Sequence, residues 1–398
     1  MQKQSTKGTT ELNPGHTDKK RKVCIFMADF AGGGAERVMV NLANGLALKG
    51  HIVEFVVARA EGPYMPLVHN TIPVHAFSGR LGGTVGFLSK YLSRHQPDAL
   101  LVSGEHACAV AIVARRISSC RAKVVATVHS AIWPDDPTRS MKLTERLNPY
   151  FIKVFFPFAD SIVAVCQKLR DECVRWIGGD PSRFHAIYNP IFSVDFGERA
   201  AAPVQHRWLG DHVDRAGYKV LSAVGRLDYQ KGFDILIRAL SLVRQVRDVR
   251  LVLMGIGPEL SSLQALASSL GVEDFVDLIG FTSNPYAFVS RSDLFVMSSR
   301  SEGFGNVLVE ALAVGTPVVS TDCGGPAEIL ENGQFGTLVP AGEPGGLAAA
   351  ILGALDAPVD KARLVERAKY YSIDRAVDFY EIVLGLKSFL EPGPNGKL

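Results

Sequence analysis

Short apolar runs recur along the chain, and each is followed by a turn and then a stretch of helical periodicity. In the first half, Lys22–Ala28, Val53–Val57, Ala99–Ser103, Val124–Val128 and Asp160–Val165 read as buried strands. In the second half, Lys219–Val224, Leu251–Met254, Val276–Ile279, Phe295–Met297 and Val318–Ser320 do the same. Helices are expected over Ala35–Leu48, Ala107–Arg116, Cys166–Ile177 and Asn306–Val314, from near Phe233, and again after Gly345. Strands alternating with helices predict parallel sheets joined by right-handed crossovers, hence a doubly wound α/β fold. A chain of 398 residues exceeds one ordinary core, so two domains are expected. Residues 188–217 lose periodicity, from Tyr188-Asn-Pro-Ile191 through an Ala-Ala-Ala-Pro run, and mark the connection. The expected division is a polar tail over 1–21, a first Rossmann-like domain over 22–188, a connection over 189–217 and a second Rossmann-like domain over 218–371. Residues 372–398 form a closing segment.

The densest chemistry lies between Ser298 and Glu331. Glu302-Gly-Phe-Gly-Asn306 opens a helix, a Gly-Thr-Pro break at 315–317 ends it, and Gly324-Gly325-Pro326 opens another after the next strand. Two strand–turn–helix units in so few residues place two helix N-termini at one sheet edge, where α/β folds bind phosphates and nucleotides. Glu302 precedes the first helix, while Asn306 and Glu310 share one of its faces. Carboxylates accept paired hydrogen bonds from vicinal hydroxyls, so a sugar and a ribose are natural partners. Taken alone, the pair fits a bland reading equally well, with Glu302 favouring a helix dipole and Glu310 lying on a solvated face. Upstream, Arg226 and Lys231 flank a loop leading into a helix, as a clamp for a diphosphate would. Gly32, Gly33 and Gly34 form a turn at another helix N-terminus. His129 sits just past the end of a strand, where side chains enter the ligand crevice, although by position alone a structural histidine is the better reading.

Composition narrows the classes. No apolar run reaches the roughly 18 residues that span a bilayer, and the polar start lacks the apolar core of a secretory signal. A cytoplasmic protein is therefore expected, and its first twenty or so residues are expected to be disordered. The six cysteines are scattered without disulfide or metal-ligand spacing and read as buried thiols. Residues 1–200 hold 25 Lys/Arg against 17 Asp/Glu, and the remainder 18 against 23. A basic first half suits an anionic surface or substrate, but no nucleic-acid motif accompanies it. Arg139 to Phe158 adds a segment rich in basic and aromatic residues, including Lys142, Arg146 and Lys153. It fits an interfacial helix and an ordinary packed helix interrupted near Pro149 and Pro157 equally well. The G-x-G-x-x-G dinucleotide fingerprint, a P-loop lysine and a D-x-D triplet are all missing from the sequence.

The strings Glu302-Gly-Phe-Gly-Asn306-x-Leu308-x-Glu310, Gly315-Thr-Pro-Val-Val319, Gly324-Gly-x-x-Glu328 and Gly225-Arg-Leu-x-x-Gln-Lys-Gly232 resemble the donor-site signature of the family 4 retaining glycosyltransferases. The opening Gly32-Gly-Gly-Ala-Glu-Arg37 resembles the start of the same family, in bacterial enzymes that build lipid-linked oligosaccharide or polysaccharide. The resemblance implies a GT-B fold, with the two domains facing across a cleft and the last helix crossing back to the first domain. It implies transfer of a hexose or N-acetylhexosamine from a nucleotide sugar, a UDP-sugar foremost, to a lipid-linked or other saccharide acceptor, with retention and without metal or other cofactor. By the same resemblance His129 and Glu302 are the catalytic residues. Gly33, Gly34, Arg226, Lys231, Gly303, Phe304, Gly305, Asn306 and Glu310 then bind substrate. A peripheral site on the inner membrane face would suit the basic first half. A soluble transferase acting on a sugar phosphate or polysaccharide, and a non-catalytic nucleotide-sugar sensor, are the alternatives.

Overall fold

The computed structural model describes residues 20–77, 81–132, 143–215 and 217–387. Most of the expected tail, the last eleven residues, and Arg139 and Lys142 of the basic segment lie outside the described residues.

The first domain alternates strand and helix: β1 (Lys22–Met27), α1 (Gly34–Leu48), β2 (Ile52–Val57), β3 (Val74–Ala76), α2 (Leu81–His95), β4 (Ala99–Ser103), α3 (Glu105–Ser118), β5 (Lys123–Val128), α4 (Leu143–Phe155), β6 (Ser161–Ala164), α5 (Gln167–Ile177) and β7 (Phe184–Ala186). Its seven strands lie in the order β3-β2-β1-β4-β5-β6-β7, all parallel. After α6 (Phe196–Ala201) comes the second domain, with β8 (Lys219–Val224), α7 (Phe233–Val243), β9 (Val249–Met254), α8 (Leu260–Ser269), β10 (Val276–Gly280), α9 (Pro285–Arg291), β11 (Leu294–Met297), α10 (Asn306–Ala313), β12 (Val318–Asp322), α11 (Gly325–Ile329), β13 (Thr337–Pro340), α12 (Pro344–Asp356) and α13 (Lys361–Lys369). Its six parallel strands run β10-β9-β8-β11-β12-β13, the same order with one strand fewer. Both sheets are Rossmann-like, as the alternation predicts. Central strands such as β1 and β4 are covered on both faces, which is why they read as unbroken apolar runs.

Three expectations need adjustment. Pro149 does not interrupt α4 but lies inside it, and its carbonyl accepts the Trp176 indole N–H at 2.8 Å. The helix opened by Gly324-Gly325-Pro326 is only five residues long, so it offers a much weaker N-terminus than α10. The connection is not featureless, because α6 occupies its middle.

The chain passes between the domains twice, and the two passages are hydrogen-bonded to each other. Ile191 and Phe192 N–H groups donate to Tyr371 O at 3.0 and 2.9 Å, and Ile373 N–H donates back to Phe192 O. Beyond that crossing, α14 (Ile373–Val383) lies on α1 of the first domain. A Cβ at Gly45 would stand 2.6 Å from Val377, so close helix packing requires glycine there. Lys49 reaches Asp378 and Glu381, and His51 Nε2 lies 2.8 Å from Glu381. One hydrophobic core follows from this arrangement, running from the first sheet through Tyr286, Phe304, Leu308, Tyr371 and Tyr380; a second fills the far side of the second sheet.

Candidate active site

In each sheet the strand order reverses beside the first strand, between β1 and β4 and between β8 and β11. Loops leaving these strands at their C-terminal ends define the ligand crevice of such folds. Here the two crevices meet. A Cβ at Gly303 would stand 1.9 Å from His129 O, and one at Gly34 would stand 3.0 Å from Asn306 Nδ2. Asn189 Nδ2 donates to Asn306 Oδ1 at 2.8 Å, and the Cys166 thiol to Gly303 O at 3.2 Å. Glu328 accepts the first backbone N–H groups of α5, from Gln167 and Lys168, closing that helix end across the cleft.

On the second domain, Lys231 ends a single turn capped by Asp228. Gly232 follows at φ 60°, where a Cβ would collide with Ser298 O at 2.2 Å. Glycine is needed twice over, for the left-handed backbone and for the close approach. The turn thus seats directly on the loop after β11, and Lys231 Nζ meets Glu302 Oε1 at 2.6 Å. Ser299 donates to the same oxygen at 2.7 Å. Burial works against the Lys231 charge, but Glu302 and Asp228 outweigh it, so its pKa is raised and the ammonium persists. Arg226 pairs with Asp228 at 2.6 Å and is 71% exposed. Burial raises the pKa of the Glu36 carboxyl at the start of α1, and the Arg226 charge offsets part of that rise.

On the first domain, His129 is half-buried. Thr127 donates its hydroxyl proton to Val102 O at 2.9 Å, so at His129 Nε2, also 2.9 Å away, it acts as acceptor. The imidazole proton therefore sits on Nε2, and Nδ1 is a bare acceptor without a partner among the described residues. Burial pushes the pKa down to about 4, so the ring is neutral at physiological pH.

Two family descriptions match the chain in tandem: Glycosyltransferase Family 4 over residues 32–192 and Glycosyl transferases group 1 over residues 205–371. The chain belongs to the family 4 glycosyltransferases. It is 26% identical over 340 residues to the Campylobacter jejuni N-acetylgalactosamine-N,N'-diacetylbacillosaminyl-diphospho-undecaprenol 4-alpha-N-acetylgalactosaminyltransferase, covering 80% of this chain and 86% of that protein. It is 37% identical over 166 residues to the lipopolysaccharide core biosynthesis glycosyltransferase LpsD of Rhizobium meliloti, a match spanning 42% of this chain and 47% of that one. The crystal structure of Anabaena Alr3699/HepE in complex with UDP and glucose superposes with a TM-score of 0.76 at 23% identity, covering 92% of this chain and 99% of that one. The fold is GT-B, and this protein is a glycosyltransferase.

Within this glycosyltransferase the expected site residues fall into distinct settings. Lys231, Glu302, Gly303 and Gly305 belong to the turn at 229–232 and the loop after β11; Asn306 and Glu310 lie on α10. The Phe304 ring is buried, stacked against Tyr188 and edge-on to Tyr371, which leaves its backbone as the part able to meet a ligand. The Gly33 N–H bonds Ala31 O at 2.5 Å, and the Glu36 carboxylate folds over that residue, so the glycine turn is already closed on itself. Sequence reasoning gave no role to Arg37, Tyr286, Ser299 or Glu328, although Arg37 and Glu328 stand in the strings that resemble the family. Arg37 donates to both Glu310 and Tyr286 across the cleft. Its signal was present: Gly34, Arg37 and Asn41 share one face of α1.

Proposed function

We propose that this glycosyltransferase moves a hexose or N-acetylhexosamine from a UDP-sugar to a hydroxyl of a lipid-linked saccharide, with retention and without a metal. The observation that carries this reading is the Lys231–Glu302–Ser299 cluster, set opposite the neutral His129. Cleaving the sugar–diphosphate bond moves negative charge onto the leaving phosphate. The Lys231 ammonium uses one of its three donors on Glu302 and can turn the others toward that charge, with Arg226 beside it. Glu302 Oε2 remains to accept from sugar hydroxyls; the bare Nδ1 of His129 is itself buried and can accept one only once the ring or its cover moves. In the reaction the acceptor oxygen bonds the anomeric carbon on the face that the diphosphate leaves. The acceptor proton passes to the departing phosphate oxygen, so no protein nucleophile is required.

Two relatives support the substrates. The Anabaena structure holds UDP and glucose, and the Campylobacter relative is named for transfer to a diphospho-undecaprenol saccharide. For the membrane face, α4 exposes Leu147, Tyr150 and Val154 at helical spacing, beside exposed Phe158, Ile117 and Val113. Arg116 lies 5.0 Å over the Phe158 ring and Lys153 4.2 Å over Trp176. Apolar side chains rimmed by cations suit an anionic lipid surface. Among the described residues no helix is long and apolar enough to cross a membrane.

The test is a transfer assay with a panel of UDP-sugars and polyprenyl-diphosphate-linked saccharides in the presence of EDTA. Turnover with a single UDP-sugar, undiminished by EDTA, is expected. Dependence on added divalent metal, or a product of inverted anomeric configuration, would overturn the mechanism.

A further inference from the structure

One face of α1 reads Gly34, Arg37, Asn41, Gly45 and Lys49, and each position meets the second domain, the connection or α14. Gly34 abuts Asn306, Asn41 Nδ2 donates to Pro190 O at 2.7 Å, Gly45 packs on Val377, and Lys49 binds Glu381 at 2.9 Å. α1 is therefore the surface on which the two domains are registered. Arg37 is the charged contact of that stripe inside the cleft, and it ends on Glu310.

The details of that contact are asymmetric. Glu310 Oε1 receives Arg37 Nη1 and, at 3.3 Å, the Tyr286 hydroxyl, which is itself held by Arg37 Nη2. No donor among the described residues reaches Oε2. Tyr286 is 1% exposed, edge-on to Phe196 at 4.6 Å and covered by Arg199 at 4.3 Å, so it is a fixed support. Burial opposes the Arg37 charge, but Glu310 and the tyrosines outweigh it, and the guanidinium stays charged.

We propose that Arg37 is a positioning residue for the donor: it holds Glu310 Oε1 so that Oε2 is aimed at the ribose, and it does so only while the domains are closed. The proposal rests on the nucleotide-sugar reading above and adds to it that Glu310, deeper along the site than Glu302, takes the ribose. Arg37 belongs to the first domain and Glu310 to the second, so the grip on the ribose senses closure. The opposite relation, in which Arg37 blocks Glu310 and the ribose must displace it, predicts effects of opposite sign.

Calorimetric titration of UDP and 2′,3′-dideoxy-UDP into the full chain separates these. Removing the ribose hydroxyls is expected to weaken binding to the unaltered protein by about tenfold or more. In Arg37→Ala, UDP should weaken by about tenfold while dideoxy-UDP changes little, so the hydroxyl dependence collapses to within about threefold. Arg37→Lys keeps the charge but not the two-pronged contact and should recover part of the loss. Tyr286→Phe, which removes one donor and leaves the ring, should show the same pattern more weakly and serves if Arg37→Ala melts early. Arg37→Ala binding UDP as tightly as or more tightly than the unaltered protein would make Arg37 a lock and overturn the proposal. Equal weakening of both nucleotides would reduce Arg37 to a structural role and overturn it as well. Failure of the unaltered protein to bind UDP would instead sink the donor reading beneath it.

Discussion

The two sheet edges that meet at the cleft share one topology and differ in charge. The first domain offers a neutral imidazole, a glycine turn folded over by its own Glu36, and one cation, Arg37, whose charge is spent on Glu310. The second offers an ammonium, a guanidinium and the carboxylates of Asp228, Glu302 and Glu310, with the ammonium already engaged by Glu302 and the guanidinium by Asp228. Strand order alone would assign both edges the same work. Their loops assign bond-breaking electrostatics to the second edge, and shape and closure to the first. One contact between the edges is backbone alone: Gly303 rests on the His129 carbonyl with no room for a methyl group.

If charge on the second edge carries the chemistry, the largest loss comes from removing it. Lys231→Ala should lower kcat by ~10²–10³, about 3–4 kcal/mol, the scale of losing one preorganised transition-state contact. Glu302→Gln tests the pairing more finely. It keeps a group for Ser299 to donate to but leaves the ammonium without a counter-charge, so UDP should bind at least as well while transfer falls about a hundredfold. Single-turnover rates beside UDP titrations measure both. Full rates in either variant would end the division of labour between the edges.

The next largest effect should come from the backbone contact. Gly303→Ala places a methyl group 1.9 Å from His129 O, and neither backbone can yield locally without parting the domains. Transfer should fall about a hundredfold through misplacement of the reacting groups, and UDP affinity by no more than the roughly tenfold expected of Arg37→Ala, since parting the domains frees Glu310 from Arg37. Unchanged transfer and affinity would mean that the contact does not govern closure.

Much of this division was legible in sequence, and unevenly. The second edge is written in two contiguous strings, 225–232 and 298–310, because glycine turns and the residues they present are local features. The buried central strands were legible for the same reason, as unbroken apolar runs. Edge strands β3, β7 and β13 were not, being three or four residues long with mixed burial, too short for any periodicity to show. Nor was α2, which opens on two glycines. The pairing of Arg37 with Glu310 spans 273 positions, and the Lys231–Glu302 pair spans 71. The sequence presents Lys231, Glu302 and Glu310 as separate ligands for a substrate, whereas the fold first gives each of them a partner within the protein.

A smaller effect concerns the neutral imidazole of the first edge and has a definite sign. His129 is held near pKa 4 in the native protein and near 6.5 when unfolded. Between these values the unfolded chain binds a proton that the native one does not, so stability falls as pH drops from 6.5 to 4 and the loss is complete below 4. The contribution is at most about 3 kcal/mol, and less to the extent that the half-buried ring keeps some hydration. His185 and His206, also depressed by burial, add slopes of the same sign. The diagnostic quantity is therefore the difference between His129→Asn and the unaltered protein in urea midpoints at pH 7.5 and 5. The variant should lose less stability on acidification, and identical slopes would place a charged imidazole at this edge.

The smallest effect lies on the outer surface of the first domain, where the two halves of the chain also part company in charge. Leu147 and Val154 are 41% and 57% exposed on one face of α4, so each already buries part of its side chain against the protein. Only the remainder is left for lipid, of order 1 kcal/mol per side chain, comparable to the ~1 kcal/mol that each basic residue gains near an anionic surface. Leu147→Ser with Val154→Ser should therefore weaken co-sedimentation with phosphatidylglycerol vesicles about tenfold. Turnover on a water-soluble acceptor should not change, and the melting temperature should shift by no more than about 2 °C, because neither side chain belongs to the core. Raising the salt concentration should weaken vesicle binding further, since screening acts on the cationic rim and not on the apolar face. Equal binding to anionic and zwitterionic vesicles, or none at all, would leave the basic first half facing its substrate alone.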